Sequence, residues 1–188
     1  VVTRKGEVTV DMDEQPGKGN PEKIPQLKAA FAKDGTITAA TSSSISDGAA
    51  ALVLTRASVA EAKGLKPVAR VVATAAHAQA PAEFTTAPIP AIQKVLARAG
   101  WSIAEVDLFE VNEAFACVAM FAMRDLGIPH EKINVNGGGT ALGHPIGASG
   151  ARIIVTLINA LKQQGKKRGV ASLCIGGGEA TAVAVELV

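Results

Sequence analysis

Hydrophobic positions are most regular in the second half of the chain. Between residues 88 and 99 they recur at 89, 92, 95, 96 and 99, the spacing of one helical face, and Gly100 stops the run. Residues 112–126 and 149–164 are apolar over most of their length, which predicts two buried helices, the second ended by Gly165. A short helix is expected over 58–63, closed by Gly64. Strands are expected over 69–75, 106–111, 133–136, 169–175 and 180–188, the last two joined by Gly176-Gly-Gly-Glu179. From residue 67 onward, strands and helices therefore alternate. That order predicts an α/β layered fold, with a mixed, mostly parallel sheet covered by helices and an antiparallel last hairpin.

The first third is less regular. Residues 1–35 are charged and rich in Pro and Gly; 11–25 reads as a loop, 24–32 as a short helix and 36–40 as a strand. Asp47 reads as a helix N-cap. Residues 48–55 are almost wholly apolar and are expected to be buried, as helix or as strand. The chain opens Val1-Val-Thr-Arg-Lys-Gly6 without Met, and Val8-Thr-Val10 alternates as if in mid-strand, so it reads as a piece of a longer protein.

Composition narrows the classes. Of 188 residues, 48% are hydrophobic but only 3% aromatic, so the core must be built from Ala, Val, Ile and Leu. The net charge is +2 and no basic stripe exists, which argues against nucleic-acid binding. No uncharged apolar run approaches the roughly 18 residues of a membrane span. Two cysteines, Cys117 and Cys174, make no disulfide framework and suit a reducing, cytoplasmic compartment. No metal site is expected.

Three segments, each just after an expected strand, carry polar or reactive side chains: Val111-Asn-Glu-Ala-Phe-Ala116, Gly143-His-Pro-Ile-Gly147 and Leu173-Cys-Ile-Gly-Gly-Gly178. Ligands of open α/β sheets bind at strand C-terminal ends, so the three suggest one convergent site. The stretch 134–152 holds six glycines in nineteen residues. It matches neither the Walker spacing, nor the dinucleotide fingerprint, nor the nucleophile elbow. It reads instead either as a rigid, side-chain-poor mount for His144 or as a glycine-rich turn with a structural histidine. Pro145 restricts His144 toward extended geometry, and Ser149 is expected to cap the next helix. Cys174 before three glycines reads as a reactive thiol beside backbone donors that form an oxyanion hole and favour thiolate, or as a core cysteine at a strand end. Cys117, inside an apolar helix, reads as core. Asn112 reads as a helix N-cap, or as an amide that orients a water or carbonyl; Glu113 is expected in the first helical turn, favourable to the dipole.

These motifs resemble the C-terminal signatures of thiolases. The likeness extends to Thr38-Ala-Ala-Thr-Ser-Ser-Ser-Ile-Ser-Asp-Gly-Ala-Ala50 and Ala87-Pro-Ile-Pro-Ala91 and covers essentially the whole chain. The resemblance implies residues 1–44 as the end of a CoA-binding loop domain, 45–67 as the last part of an N-terminal domain and 68–188 as the C-terminal domain. It implies an acetyl-CoA C-acetyltransferase (β-ketothiolase) acting on acyl-CoA and acetyl-CoA, with CoA as part of the substrate and no permanent cofactor. Cys174 matches the acid/base cysteine and His144 the histidine that activates the nucleophilic cysteine. Asn112 matches the residue holding an oxyanion-hole water, and Gly176 a backbone donor of the second hole. Ser43 matches a serine on the pantetheine arm; Phe31, Ala39 and Phe115 fall near that arm, and Lys18 toward the CoA nucleotide. Phe84 stands where many biosynthetic thiolases have Met. The nucleophilic cysteine belongs to the N-terminal half of a thiolase, so the isolated chain is expected to be inactive and that half is an expected partner, within a homodimer or homotetramer. A non-catalytic CoA-binding or assembly module and a hydrolase using Cys174 are the alternatives.

Overall fold

The computed structural model describes residues 1–13, 17 and 19–188. Two short strands, β1 (Val2–Thr3) and β2 (Gly6–Glu7), form an antiparallel pair at the start. Helix α1 (Ala57–Ala62) follows a long irregular stretch. The main body then runs β3 (Ala69–Ala78), α2 (Pro88–Ala99), β4 (Leu108–Val111), α3 (Ala116–Leu126), α4 (Gly139–Leu142), α5 (Ser149–Gln163), β5 (Arg168–Ile175) and β6 (Glu179–Leu187).

The four long strands make one sheet in the order β3-β6-β5-β4. The sheet is mixed, as expected, but the direction balance is not: only β4 and β5 pair parallel, while β6 is antiparallel to both β5 and β3. The cause is the tight turn after β5. It returns the chain as β6 into the centre of the sheet, where it opposes a neighbour on each side.

Both faces of the sheet are covered. Phe109, Val111, Val170, Ala182 and Ala184 pack with Ala91, Ile92, Val95 and Leu96 of α2 and Val118, Ala119 and Ala122 of α3. Leu108, Ala171 and Val185 pack on the other face with Ile153, Leu157, Ala160 and Leu161 of α5. Strand alternation therefore sends residues 108, 110 and 112 toward α5 and 109 and 111 toward α2 and α3. Each helix stops where a glycine takes a left-handed conformation, as at Gly100 (φ 69) and Gly127 (φ 66).

Several local expectations are corrected. Residues 24–32 are not a helix; a 3-10 turn spans Pro21–Gln26, and the proline inside it, Pro25, supplies no N–H to extend it. Residues 36–40 are not a strand. Thr41 and Ser42 hydroxyls donate to Thr38 O and close a 3-10 turn over Ala39–Thr41 instead. Asp47 caps no helix, and residues 48–55 are largely exposed, Val53 at 97% and Leu54 at 72%, since no described element packs over them. Residues 133–136 form no strand: Ile133 makes a single bridge to Phe109, and Asn134 turns left-handed at φ 48. Helix α3 begins at Ala116, four residues later than expected, and Met120 on it is exposed. The loop residues 14–16 and Lys18 lie outside the described residues. No helix among the described residues is long and apolar enough to cross a membrane.

Candidate functional site

Strand β4 ends at Val111, and the next four residues are not helical, which leaves Asn112 buried before the helix instead of capping it. Asn112 is 1% exposed. Its Nδ2 lies 3.4 Å from His144 Nε2, and its Oδ1 accepts from Arg152 Nη2 at 3.4 Å. His144 is held from behind as well. Its Nδ1 lies 2.6 Å from Ser149 Oγ, and that hydroxyl donates to Pro145 O at 3.1 Å. Ser149 is thus the first residue of α5 rather than its cap, and its hydroxyl serves the histidine.

This network assigns the imidazole tautomer. Arg152 can only donate, so Asn112 Oδ1 faces it and the amide NH2 faces Nε2. Ser149 gives its proton to Pro145 O, so it accepts from Nδ1–H. Nε2 then carries the lone pair. Burial, and next the Arg152 charge, hold the His144 pKa below the ordinary imidazole value of 6.5. The ring is therefore a neutral base whose unprotonated nitrogen, Nε2, faces the Asn112 amide.

The glycines around His144 are spacing devices. Gly143 has φ 86, and a Cβ there would strike the Ser46 side chain. At Gly48 an added Cβ would sit 2.7 Å from Pro145. Residues 42–48 thus press directly on the histidine loop. Ser44 O accepts from His144 N–H at 2.9 Å, and bridges join Ile45 to His144 and Ser42 to Phe115.

Glu113 lies before α3, not in its first turn. Its carboxylate accepts from Asn134 Nδ2 at 2.8 Å, from Thr140 N at 3.1 Å and from the Thr140 hydroxyl. Asn134 also bonds both backbone groups of Val111, at 2.8 Å each, and so stands in for a neighbouring strand at the sheet edge. These bonds tie the glycine loop to the end of β4. Gly138 is required beneath Glu113, whose carboxylate occupies the place of a Cβ.

Cys174, near the end of β5, is 6% exposed and belongs to the core cluster beside α2 and α3. The expectation of a thiolate-favouring setting is corrected: burial pushes its pKa up to about 11, and neighbouring Cys117 adds to the rise. Among the described residues no hydrogen bond joins its sulfur to His144. The glycine turn beyond it leaves Gly176 exposed, with nothing within 4 Å of an added Cβ, so its backbone faces open space.

The remaining expected residues gather in part. Phe115 meets Phe31 edge-on at 5.6 Å between ring centroids and Phe84 at 6.2 Å, and Phe31 is 74% exposed. Ser43 Oγ donates to Ala114 O at 3.0 Å, which leaves its lone pairs to accept. Ala39 lies exposed in its 3-10 turn and touches none of these groups through a hydrogen bond among the described residues.

Glu110, Arg152, Asn134 and the role of Ser149 escape a reading by motif chemistry. The available signal was periodicity. Glu110 and Asn112 share a strand face, and Ser149 and Arg152 share a helix face three residues apart. Glu110 is 1% exposed, and burial raises its pKa to about 7 against the pull of Arg152.

The model of the thiolase N-terminal domain matches residues 1–58, and that of the thiolase C-terminal domain matches residues 65–187. A probable acetyl-CoA acetyltransferase of Dictyostelium discoideum is 51% identical over 187 residues, covering 99% of this chain and 45% of that protein. The crystal structure of the Bacillus anthracis acetyl-CoA acetyltransferase superposes with a TM-score of 0.92 at 44% identity, over 100% of this chain and 48% of that one. A thiolase from Ascaris suum in complex with coenzyme A superposes with a TM-score of 0.85 at 39% identity, over 95% of this chain and 47% of that one. The chain spans about half the length of the relatives it matches. Since the two domain models together take in the histidine loop, the Asn112 segment and the glycine turn, the chain belongs to the thiolase family.

Proposed function

We propose that this chain carries the histidine and acid/base-cysteine part of an acetyl-CoA C-acetyltransferase, which joins acyl-CoA to acetyl-CoA or cleaves a 3-ketoacyl-CoA. The observation that carries the reading is the Asn112–His144–Ser149 network, which leaves one imidazole nitrogen as a base at 3.4 Å from a buried amide donor. In this reading His144 Nε2 takes the proton of a nucleophilic thiol supplied by an N-terminal thiolase portion. That sulfur attacks the acyl thioester and CoA thiolate leaves. The protonated Nε2 and a water held by Asn112 then donate to the thioester oxygen.

Cys174 exchanges a proton with the α-carbon of acetyl-CoA. In condensation it removes that proton, and the carbanion attacks the acyl-enzyme. In thiolysis it returns the proton to the departing carbanion. Gly176 N–H donates to the enolate oxygen that forms in either direction. A thiol with a pKa of about 11 carries its proton at neutral pH, the state from which it can return a proton to the carbanion.

Ser43, with its proton committed to Ala114 O, accepts from a pantetheine amide. Phe31, Phe84 and Phe115, with Ala39, line the path of that arm. Residues 1–44 are read as the end of the CoA-binding loop domain, 45–67 as the close of the N-terminal domain and 68–188 as the C-terminal domain. The assembled enzyme is read as a cytoplasmic homodimer or homotetramer.

Addition of a cysteine-bearing N-terminal thiolase portion tests the reading. Acetoacetyl-CoA thiolysis should appear on mixing and vanish with His144→Ala. Retention of CoA without any turnover would instead indicate a binding module.

A further inference from the structure

Behind the histidine lies a buried carboxyl–guanidinium pair that none of the steps above uses. Glu110 Oε2 sits 3.6 Å from Arg152 Nη1, with side-chain exposures of 2% and 19%. Neither Glu110 Oε1 nor Arg152 Nη1 has a hydrogen-bond partner among the described residues. A buried pair of this quality adds little net stability, because desolvation offsets the attraction. An aliphatic pair of the same volume would hold α5 to β4 about as well. What the pair does supply is direction. With the guanidinium drawn toward Glu110, Nη2 is aimed at Asn112 Oδ1 at 3.4 Å.

The direction matters because the two ends of a side-chain amide are alike in shape and opposite in hydrogen bonding. If Asn112 were flipped, Oδ1 would face His144 Nε2, and the attractive arrangement would be Nε2–H. Nδ1 would then carry a lone pair toward Ser149, whose hydroxyl would turn from Pro145 O to donate to it. With Oδ1 turned to Arg152, NH2 faces Nε2, at 3.4 Å, and the proton resides on Nδ1 at 2.6 Å from Ser149 Oγ. We propose that Arg152, braced by Glu110, is a positioning residue: it sets the amide orientation of Asn112 and thereby the tautomer of His144, keeping the basic lone pair on Nε2. That this lone pair receives a thiol proton rests on the thiolase reading; the tautomer itself does not.

Nitrogen NMR of the imidazole in the 188-residue chain reads the tautomer directly, with His144→Gln to assign the signals. In the parent chain, at a pH where the ring is neutral, Nδ1 should give a protonated shift and Nε2 an unprotonated one. Arg152→Met should move the two signals toward a common, averaged value. Arg152→Lys, which keeps a cationic donor, should restore their separation. Unmoved signals in a folded Arg152→Met chain would overturn the proposal. Should that variant fail to fold, Glu110→Gln removes the brace at nearly constant volume. It should move the signals the same way, and unmoved signals there would count equally against the proposal. In the enzyme assembled with the N-terminal portion, Arg152→Met should lower kcat and leave KM for acetoacetyl-CoA unchanged. A tautomer that responds in a chain whose assembly never turns over would sink the functional reading alone. Turnover with a tautomer indifferent to Arg152 would sink the positioning role alone.

Discussion

Near neutral pH, Cys174 holds its proton and His144 lacks one, and burial is the first cause of both. Each state has a consequence for stability. Cys174 keeps its proton up to about pH 11 when folded, against 9.0 for the ordinary thiol. The unfolded chain therefore loses that proton first as pH rises, and stability falls between about 9 and 11. The loss should reach roughly 2–3 kcal/mol. Urea denaturation at either end of that interval should show it, and Cys174→Ala should remove most of it. His144 runs the other way: its folded pKa lies below the ordinary 6.5, so stability falls as pH drops below that value, where the unfolded chain takes up the proton first. Denaturation midpoints for His144→Gln should fall less over the same acid range. That these two residues are candidates for the site was legible in sequence, from a histidine boxed by glycine and proline and a cysteine before three glycines. Their protonation was not, because desolvation depends on α2, α3 and α5 closing over them.

Among the elements, α2 was legible to the residue, since Pro88 opens it, Gly100 ends it and the apolar stripe follows one face. Ile92→Ala on that stripe, at 0% exposure, should cost about 2–5 kcal/mol in chemical denaturation. Helix α3 was legible at its end but not at its start. Residues 112–115 look helical by composition, yet hydrogen bonds from Asn134 and Thr140 to Glu113, and from Arg152 to Asn112, draw them out of the helix. Those partners are twenty or more residues away in sequence, beyond any local pattern. The turn between β5 and β6 has a sharper constraint. Gly178 has φ 102, and a Cβ there would run into the carbonyl of Gln79, whose own N–H donates to Gly178 O at 3.0 Å. Gly178→Ala should therefore destabilise the chain by about 1–3 kcal/mol, whereas Gly176→Ala, facing open space, should leave its thermal midpoint nearly unchanged.

For the molecule as a whole, the α/β class was legible from the alternation of periods after residue 67. The direction of β3 relative to its one neighbour, β6, was not, because pairing partners and strand order carry no local signal. Residues 48–55 mark the other limit. Their apolar run predicts burial, yet Val53 and Leu54 are exposed, because burial needs a second surface as well as an apolar first one. The proposed partner surface is an N-terminal thiolase portion, which would also bring a nucleophilic sulfur to His144. The decisive measurement is acetoacetyl-CoA thiolysis by the chain alone, by the chain mixed with a cysteine-bearing N-terminal thiolase portion, and by the same mixture with Cys174→Ala. Turnover should appear only in the mixture with Cys174 intact. Turnover by the chain alone, or undiminished turnover with Cys174→Ala, would contradict the half-site assignment.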